Sequence, residues 1–207
     1  MLKHSFLTGL LCFLSIEGLY AQEKKEEPST YIKANALFLP IGVLNAGIEH
    51  QIKDKITIQG DIFISPWKSF AGHEFQYYSL SVEGRYYFDE AFKHWYIGAN
   101  LSAASFVLQK WNYWSDSIYV NANNQGLKKS NLYQKGFSYL LGITAGYQFK
   151  LGENWNMDVY ATVGTSQDFY KGYDRTTGLR YDPAHKYNKS GEILPYRGGI
   201  MISYKLK

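Results

Sequence analysis

The sequence predicts an all-β protein, an eight-stranded antiparallel up-and-down transmembrane β-barrel. Three observations carry this: a secretory-type N-terminus, a two-residue alternation that recurs in units of about ten residues, and short turns that alternate with longer connections. The clearest unit is 56–67. Ile56, Ile58, Gly60, Ile62 and Ile64 fall on one side and Thr57, Gln59, Asp61, Phe63 and Ser65 on the other, before Pro66-Trp67. Such alternation marks a strand with one apolar and one wet face.

Residues 1–21 read as a signal peptide. Lys3 and His4 open it, 6–16 is its apolar core, and Gly18-Leu19-Tyr20-Ala21 supplies small residues before a cut at Gln22. The apolar run falls short of the roughly twenty residues of a membrane helix. Cys12, the single cysteine, sits within that core, so the mature chain has no disulfide, thiolate metal site or thiol nucleophile. The chain as a whole is rich in Tyr (19) and Gly (19), and its mean hydropathy is negative. Transmembrane strands have this composition because only every second residue meets lipid. A formal charge of +4 gives no indication of a nucleic-acid partner.

Residues 22–30 form a charged leader with Pro28, placed in the periplasm, and 31–207 form the barrel. Strands are expected over 31–38, 43–52, 56–67, 77–88, 95–109, 136–150, 155–165 and 196–206. The connections 53–55, 89–94 and 151–154 are short. Those at 68–76, 110–135 and 166–194 are longer, and only 39–42 breaks the alternation. Bacterial outer-membrane barrels have short periplasmic turns, longer outer loops and an even strand count. The reading is therefore an outer-membrane location with both termini in the periplasm. A soluble eight-stranded barrel would turn its apolar residues inward.

With the apolar face outward, the inward face carries Lys33, Glu49, Asp61, Glu83, Arg85, Asp158, Arg197 and Lys205. Eight strands leave room inside for side chains but not for a wide channel. Buried charges need partners, so a structural interior network is expected in which Glu49, Asp61, Glu83 and Arg85 join Arg197 or Lys33. Two aromatic bands are expected as well: Trp67, Tyr77, Tyr78, Trp111, Tyr113 and Trp114 on the outer side, and Tyr86, Phe88, Trp95, Phe149, Trp155 and Tyr204 on the periplasmic side.

Several short stretches resemble an uncharacterised Bacteroidota outer-membrane barrel family, a domain of unknown function. They are Lys33-Ala34-Asn35-Ala36-Leu37, Asn45-Ala46-Gly47-Ile48-Glu49, Ile64-Ser65-Pro66-Trp67, Glu83-Gly84-Arg85-Tyr86-Tyr87-Phe88 and Trp95-Tyr96-Ile97-Gly98. Ser65 stands where that family has Asn, and Tyr87 where it has Trp. The similarity runs from Tyr31 to about Phe106. It implies a membrane barrel, in some members associated with fimbrial or surface assembly, and brings no catalytic residues.

No catalytic set, cofactor or metal ligand set is assigned. Lipid A-modifying barrels need a His with a hydroxyl or acid at the outer leaflet. The candidates are His73, beside Ser69 and Glu74, and His185, beside Asp182; both fall in turn-rich loops. Asp168, Asp174 and Asp182 match no calcium-loop spacing. The loops 110–135 and 166–194 interleave cations with aromatic rings, and Trp111, Trp114, Lys128, Lys129, Tyr170, Arg175 and Arg180 are the candidate contacts. Such a surface suits outer-membrane lipid, lipopolysaccharide phosphate, or a surface protein or glycan. The expectation is a non-enzymatic barrel that anchors, adheres or binds a partner through these loops. The alternatives are a narrow conduit or binder for small hydrophobic molecules, and a lipid A-modifying enzyme.

Overall fold

A computed structural model describes residues 27–121, 124–182, 184 and 186–206. The signal segment, the first residues of the leader and His185 lie outside these. Eight strands close into one barrel: β1 (Thr30–Asn35), β2 (Leu44–Lys53), β3 (Ile56–Phe70), β4 (His73–Tyr87), β5 (His94–Leu108), β8 (Leu132–Lys150), β9 (Trp155–Asp174) and β10 (Asn188–Lys205). A separate two-stranded hairpin, β6 (Ile118–Val120) and β7 (Gly126–Lys128), lies between β5 and β8. Every pairing in the barrel is antiparallel, each strand neighbours the next, and β10 closes on β1. Closure pairs the edges that an open sheet would leave free. Among the described residues no helix is long and apolar enough to cross a membrane.

The alternation read from the sequence is the barrel's inside-out pattern. Ile58, Leu80, Leu101, Leu141, Ile143 and Val163 are exposed on the outer surface. Gln59, Ser81, Asn100, Thr144 and Thr162 on the same strands are buried within, as is Asn45 on β2. A soluble barrel has the opposite arrangement. All six rings expected on the periplasmic side, Tyr86, Phe88, Trp95, Phe149, Trp155 and Tyr204, stand exposed at the lower strand ends. The expected outer band needs a correction. Phe75 and Tyr77 face inward, Trp67 and Phe70 lie on that same face of the β3–β4 hairpin, and Tyr113 packs against Tyr119 and Tyr181 in the loops, whereas Phe137, Phe169 and Tyr187 join Tyr78 and Tyr139 outside.

The outer ends of the strands run further than the sequence pattern suggested. Residues 68–76 are mostly strand: β3 and β4 meet at a two-residue turn, Ala71-Gly72, whose φ values of 50° and 86° suit a tight hairpin. β9 continues to Asp174 and β10 starts at Asn188, so much of 166–194 is paired sheet. The wall is therefore uneven. β1 has 6 residues and β2 has 10, against 19 in β8 and 20 in β9. Pro66 and Pro195 sit above the points where β2 stops pairing with β3 and β1 stops pairing with β10. Proline lacks an N–H and suits strand positions with a missing neighbour.

A bulge between Pro195 and Arg197 turns both Tyr196 and Arg197 inward. Just below it, Gly199 has φ 149°, and a Cβ there would fall 2.2 Å from Asn35 Nδ2. Gly146 leaves space for Tyr96, its cross-strand neighbour, whose ring would be 2.4 Å from an added Cβ.

Candidate functional site

The barrel interior has a closed floor and an open cup above it. Its lowest layer was missed from sequence, where 89–94 read as a short turn. Phe92 folds back from that turn into the lower mouth and packs 4.4 Å from Tyr31 and 6.1 Å from Tyr87, ring centre to ring centre. Ala91, Tyr96, Tyr160 and Met201 complete this buried cluster. Phe92 adopts φ 66°, a costly backbone for a bulky residue that persists only where surrounding contacts enforce it. An apolar pair, Ala91-Phe92, inside a charged turn was the available signal.

Above this layer lies the charge network. Lys33 Nζ donates to Glu49 (2.7 Å), Asp158 (2.6 Å) and Gln59 (3.1 Å). Arg85 reaches Glu83 (2.6 Å), Asp158 (2.8 Å) and Glu49 (3.1 Å), with its guanidinium 4.4 Å from the Tyr96 ring centre. Arg197 bridges Glu83 (2.6 Å) and Asp61. Hydroxyls fill the remaining acceptor positions: Thr57 (2.6 Å) and Tyr87 (2.8 Å) on Glu49, Tyr96 on Asp158 (2.8 Å) and Thr144 on Glu83 (2.7 Å). The side chains of Lys33, Glu49, Glu83, Arg85 and Asp158 are fully excluded from solvent. Seven of the eight expected residues thus meet, and Lys33 and Arg197 both take part. Lys205 does not. It sits half-buried opposite Tyr31 at the lower strand end and forms no ion pair among the described residues, because its height on β10 places it below the acids.

Above the floor is a cavity of about 810 Å³ that opens toward the loops. Phe63, Tyr77, Phe106, Leu140, Tyr160 and Tyr196 form much of its wall, and Asp61 and Arg197 form its base. Asp168 lines it too. It lies directly between Ser138 on β8 and Ser190 on β10, and its carboxylate accepts from Ser138, Ser166 (2.6 Å) and Ser190 (3.2 Å).

The loops over the cup are more self-contained than expected. Three of the candidate cations are paired with loop or rim acids: Lys128 with Asp116 (2.8 Å), Arg175 with Glu74 (3.4 Å) and Arg180 with Asp182 (2.5 Å). Lys129 belongs to a short 3-10 turn, and its amide donates to the Ser117 carbonyl. Tyr170 lies under Lys110, 5.1 Å away. Trp114 stacks on His73 at 4.2 Å, and Trp111 stands free with 84% of its surface exposed. His73 also bonds to Gln109 (2.9 Å), while Glu74 is committed to Arg175. Asp174 caps its own turn through Thr176 and Thr177, and no metal-binding group of His, Cys, Asp or Glu is present among the described residues.

Burial alone would raise the Asp182 carboxyl, but Arg180, the Gly172 amide and Asn188 hold it below the usual value of 3.8. A depressed carboxylate stabilises the fold above its unfolded pKa and loses that contribution as pH falls through the lower folded value. Amide protection factors across 175–181, measured against the intrinsic exchange rate at each pH, are therefore expected to hold steady from neutral pH down to about 4 and to fall below it. A loss of protection already near pH 6 would contradict the clamp.

The profile of a family described as "Protein of unknown function (DUF3575)" matches residues 7–206. The chain belongs to the DUF3575 family. No curated protein and no solved structure matches it. Family membership therefore supplies no site residues, and the floor, the cup and the loops of this DUF3575 protein stand on their own geometry.

Proposed function

We propose that this DUF3575 protein spans the outer membrane, does not conduct, and holds a small apolar or amphipathic molecule in its outward cup. The observation that carries the binding role is the cavity of about 810 Å³ with aromatic walls above a closed floor. Ligand sites fall in the range of roughly 300–1,000 Å³ and combine apolar walls with a few fixed polar groups. The membrane placement is supported by the apolar exterior, the polar interior and the two aromatic bands. Only helices and closed barrels satisfy every backbone group in lipid. The resemblance to a Bacteroidota outer-membrane family supports the same placement.

The role is non-enzymatic in this proposal. His73 is engaged by Gln109 and Trp114 rather than by an acid and a hydroxyl. The test is titration of the folded barrel with the neutral fluorescent probe N-phenyl-1-naphthylamine. Saturable binding at one site per barrel is expected, weakened about tenfold or more by Phe106→Gln, which removes buried aromatic surface. Binding that is absent, or indifferent to Phe106→Gln, defeats the cup reading.

A second reading rests on Trp111, the most exposed ring above the barrel. A protein or glycan partner, as in fimbrial or surface assembly, would use it as an anchor. Trp111→Ala should then reduce capture of that partner from the native outer membrane, and unchanged capture removes this reading.

A further inference from the structure

Three lysines of the outer wall form a group that the charge network and the cup leave unused. Lys135 on β8 and Lys171 on β9 are direct cross-strand partners. Lys189 on β10 lies opposite Phe169, two residues before Lys171 on the same face of β9. All three lie on the outward face of their strands: Lys135 and Lys171 stand one outward position above the stacked pair Phe137 and Phe169, and Lys189 is level with that pair beside Tyr187. Lys171 lies 4.9 Å from the Tyr187 ring and Lys189 5.8 Å from Phe169. None of the three has an ion-pair partner among the described residues. This sets them apart from Lys128, Arg175 and Arg180 in the loops, each of which has an acid. The nearby acids point elsewhere: Asp168 and Glu192 line the cup, and Asp174 caps its own turn.

Like charges placed directly opposite each other on paired strands destabilise a sheet. The arrangement is favourable when an anion sits between them. At the height of an interfacial aromatic band, that anion is the phosphate of a membrane lipid, whose acyl chains would lie along Phe137, Tyr139 and Ile193 below. We propose that Lys135, Lys171 and Lys189 form a binding site for the phosphate of an outer-leaflet glycolipid of the lipid A type. This rests on the membrane-spanning reading above and adds the lipid and the residues that hold it.

The experiment is native mass spectrometry of the folded barrel released from micelles containing diphosphoryl lipid A. Wild type is expected to retain the lipid, and lipid A stripped of its phosphates is expected to be lost. Each Lys→Gln change should weaken retention about fivefold, and the triple variant should abolish it. Inorganic phosphate at the same concentration should not displace the lipid; displacement would assign the site to free phosphate instead. Lys171→Glu gives the sharpest contrast. It should raise resistance to unfolding in lipid A-free micelles, because repulsion becomes attraction, and it should also abolish retention. Equal retention by the triple variant, or equal retention of the dephosphorylated lipid, overturns the proposal. Heat-modifiable migration of each variant confirms folding. Failure of wild type to insert into phospholipid vesicles counts against the membrane reading itself, whereas insertion without phosphate preference defeats only this site.

Discussion

Arg85→Leu is expected to destabilise the folded barrel by about 3–5 kcal/mol, the range for breaking a buried ion pair by removing one partner. Arg85 contacts Glu49, Glu83 and Asp158 at once. Its loss leaves Lys33 and Arg197 facing four carboxylates, of which Glu49, Glu83 and Asp158 are fully excluded from solvent. The expense lies in the uncompensated charge rather than in the lost attraction, so Arg85→Lys should also be poorly tolerated. A lysine cannot reproduce the fork that reaches three acids. Equilibrium unfolding in phospholipid vesicles measures both. A loss below about 1 kcal/mol, typical of solvent-exposed pairs, would show that water reaches the network.

The second large effect concerns the outer face. Ile143→Arg and Leu101→Arg place a charge midway between the two aromatic bands, on side chains that are 71% and 61% exposed. In a soluble protein such surface changes shift stability by no more than about 0.5 kcal/mol. In a membrane barrel an arginine at mid-depth costs about 2–4 kcal/mol. Unfolding from vesicles should show the larger figure, while Lys129→Arg in the loops should show almost nothing. Equal, small effects at all three positions would remove the lipid from the account.

The strands within the apolar band were legible because one face is apolar and the other polar, as in Ile56 to Ile64. The same alternation placed Glu49, Glu83, Arg85 and Asp158 inside. Their partner choices were not legible, because pairing across the barrel depends on the height of each residue on its strand. That height excluded Lys205 and admitted Lys33. Above the apolar band the pattern fades for a physical reason. In β9 beyond Thr165, Gln167 and Lys171 face out while Ser166 and Asp168 face in, so both faces are polar and the strand reads as a loop. Phe92 escaped notice because a turn and a plug have the same sequence until the chain folds back. The bulge at Tyr196 was also hidden, since it reverses the alternation above it and places Ser190 and Leu194 inside.

The most direct test of the closed floor is planar-bilayer recording with the purified, folded barrel. Phe92, the ion network and its hydroxyls fill the lower barrel with buried side chains, so inserted barrels should pass no steady current. A steady open-channel current from the wild-type protein would contradict the account.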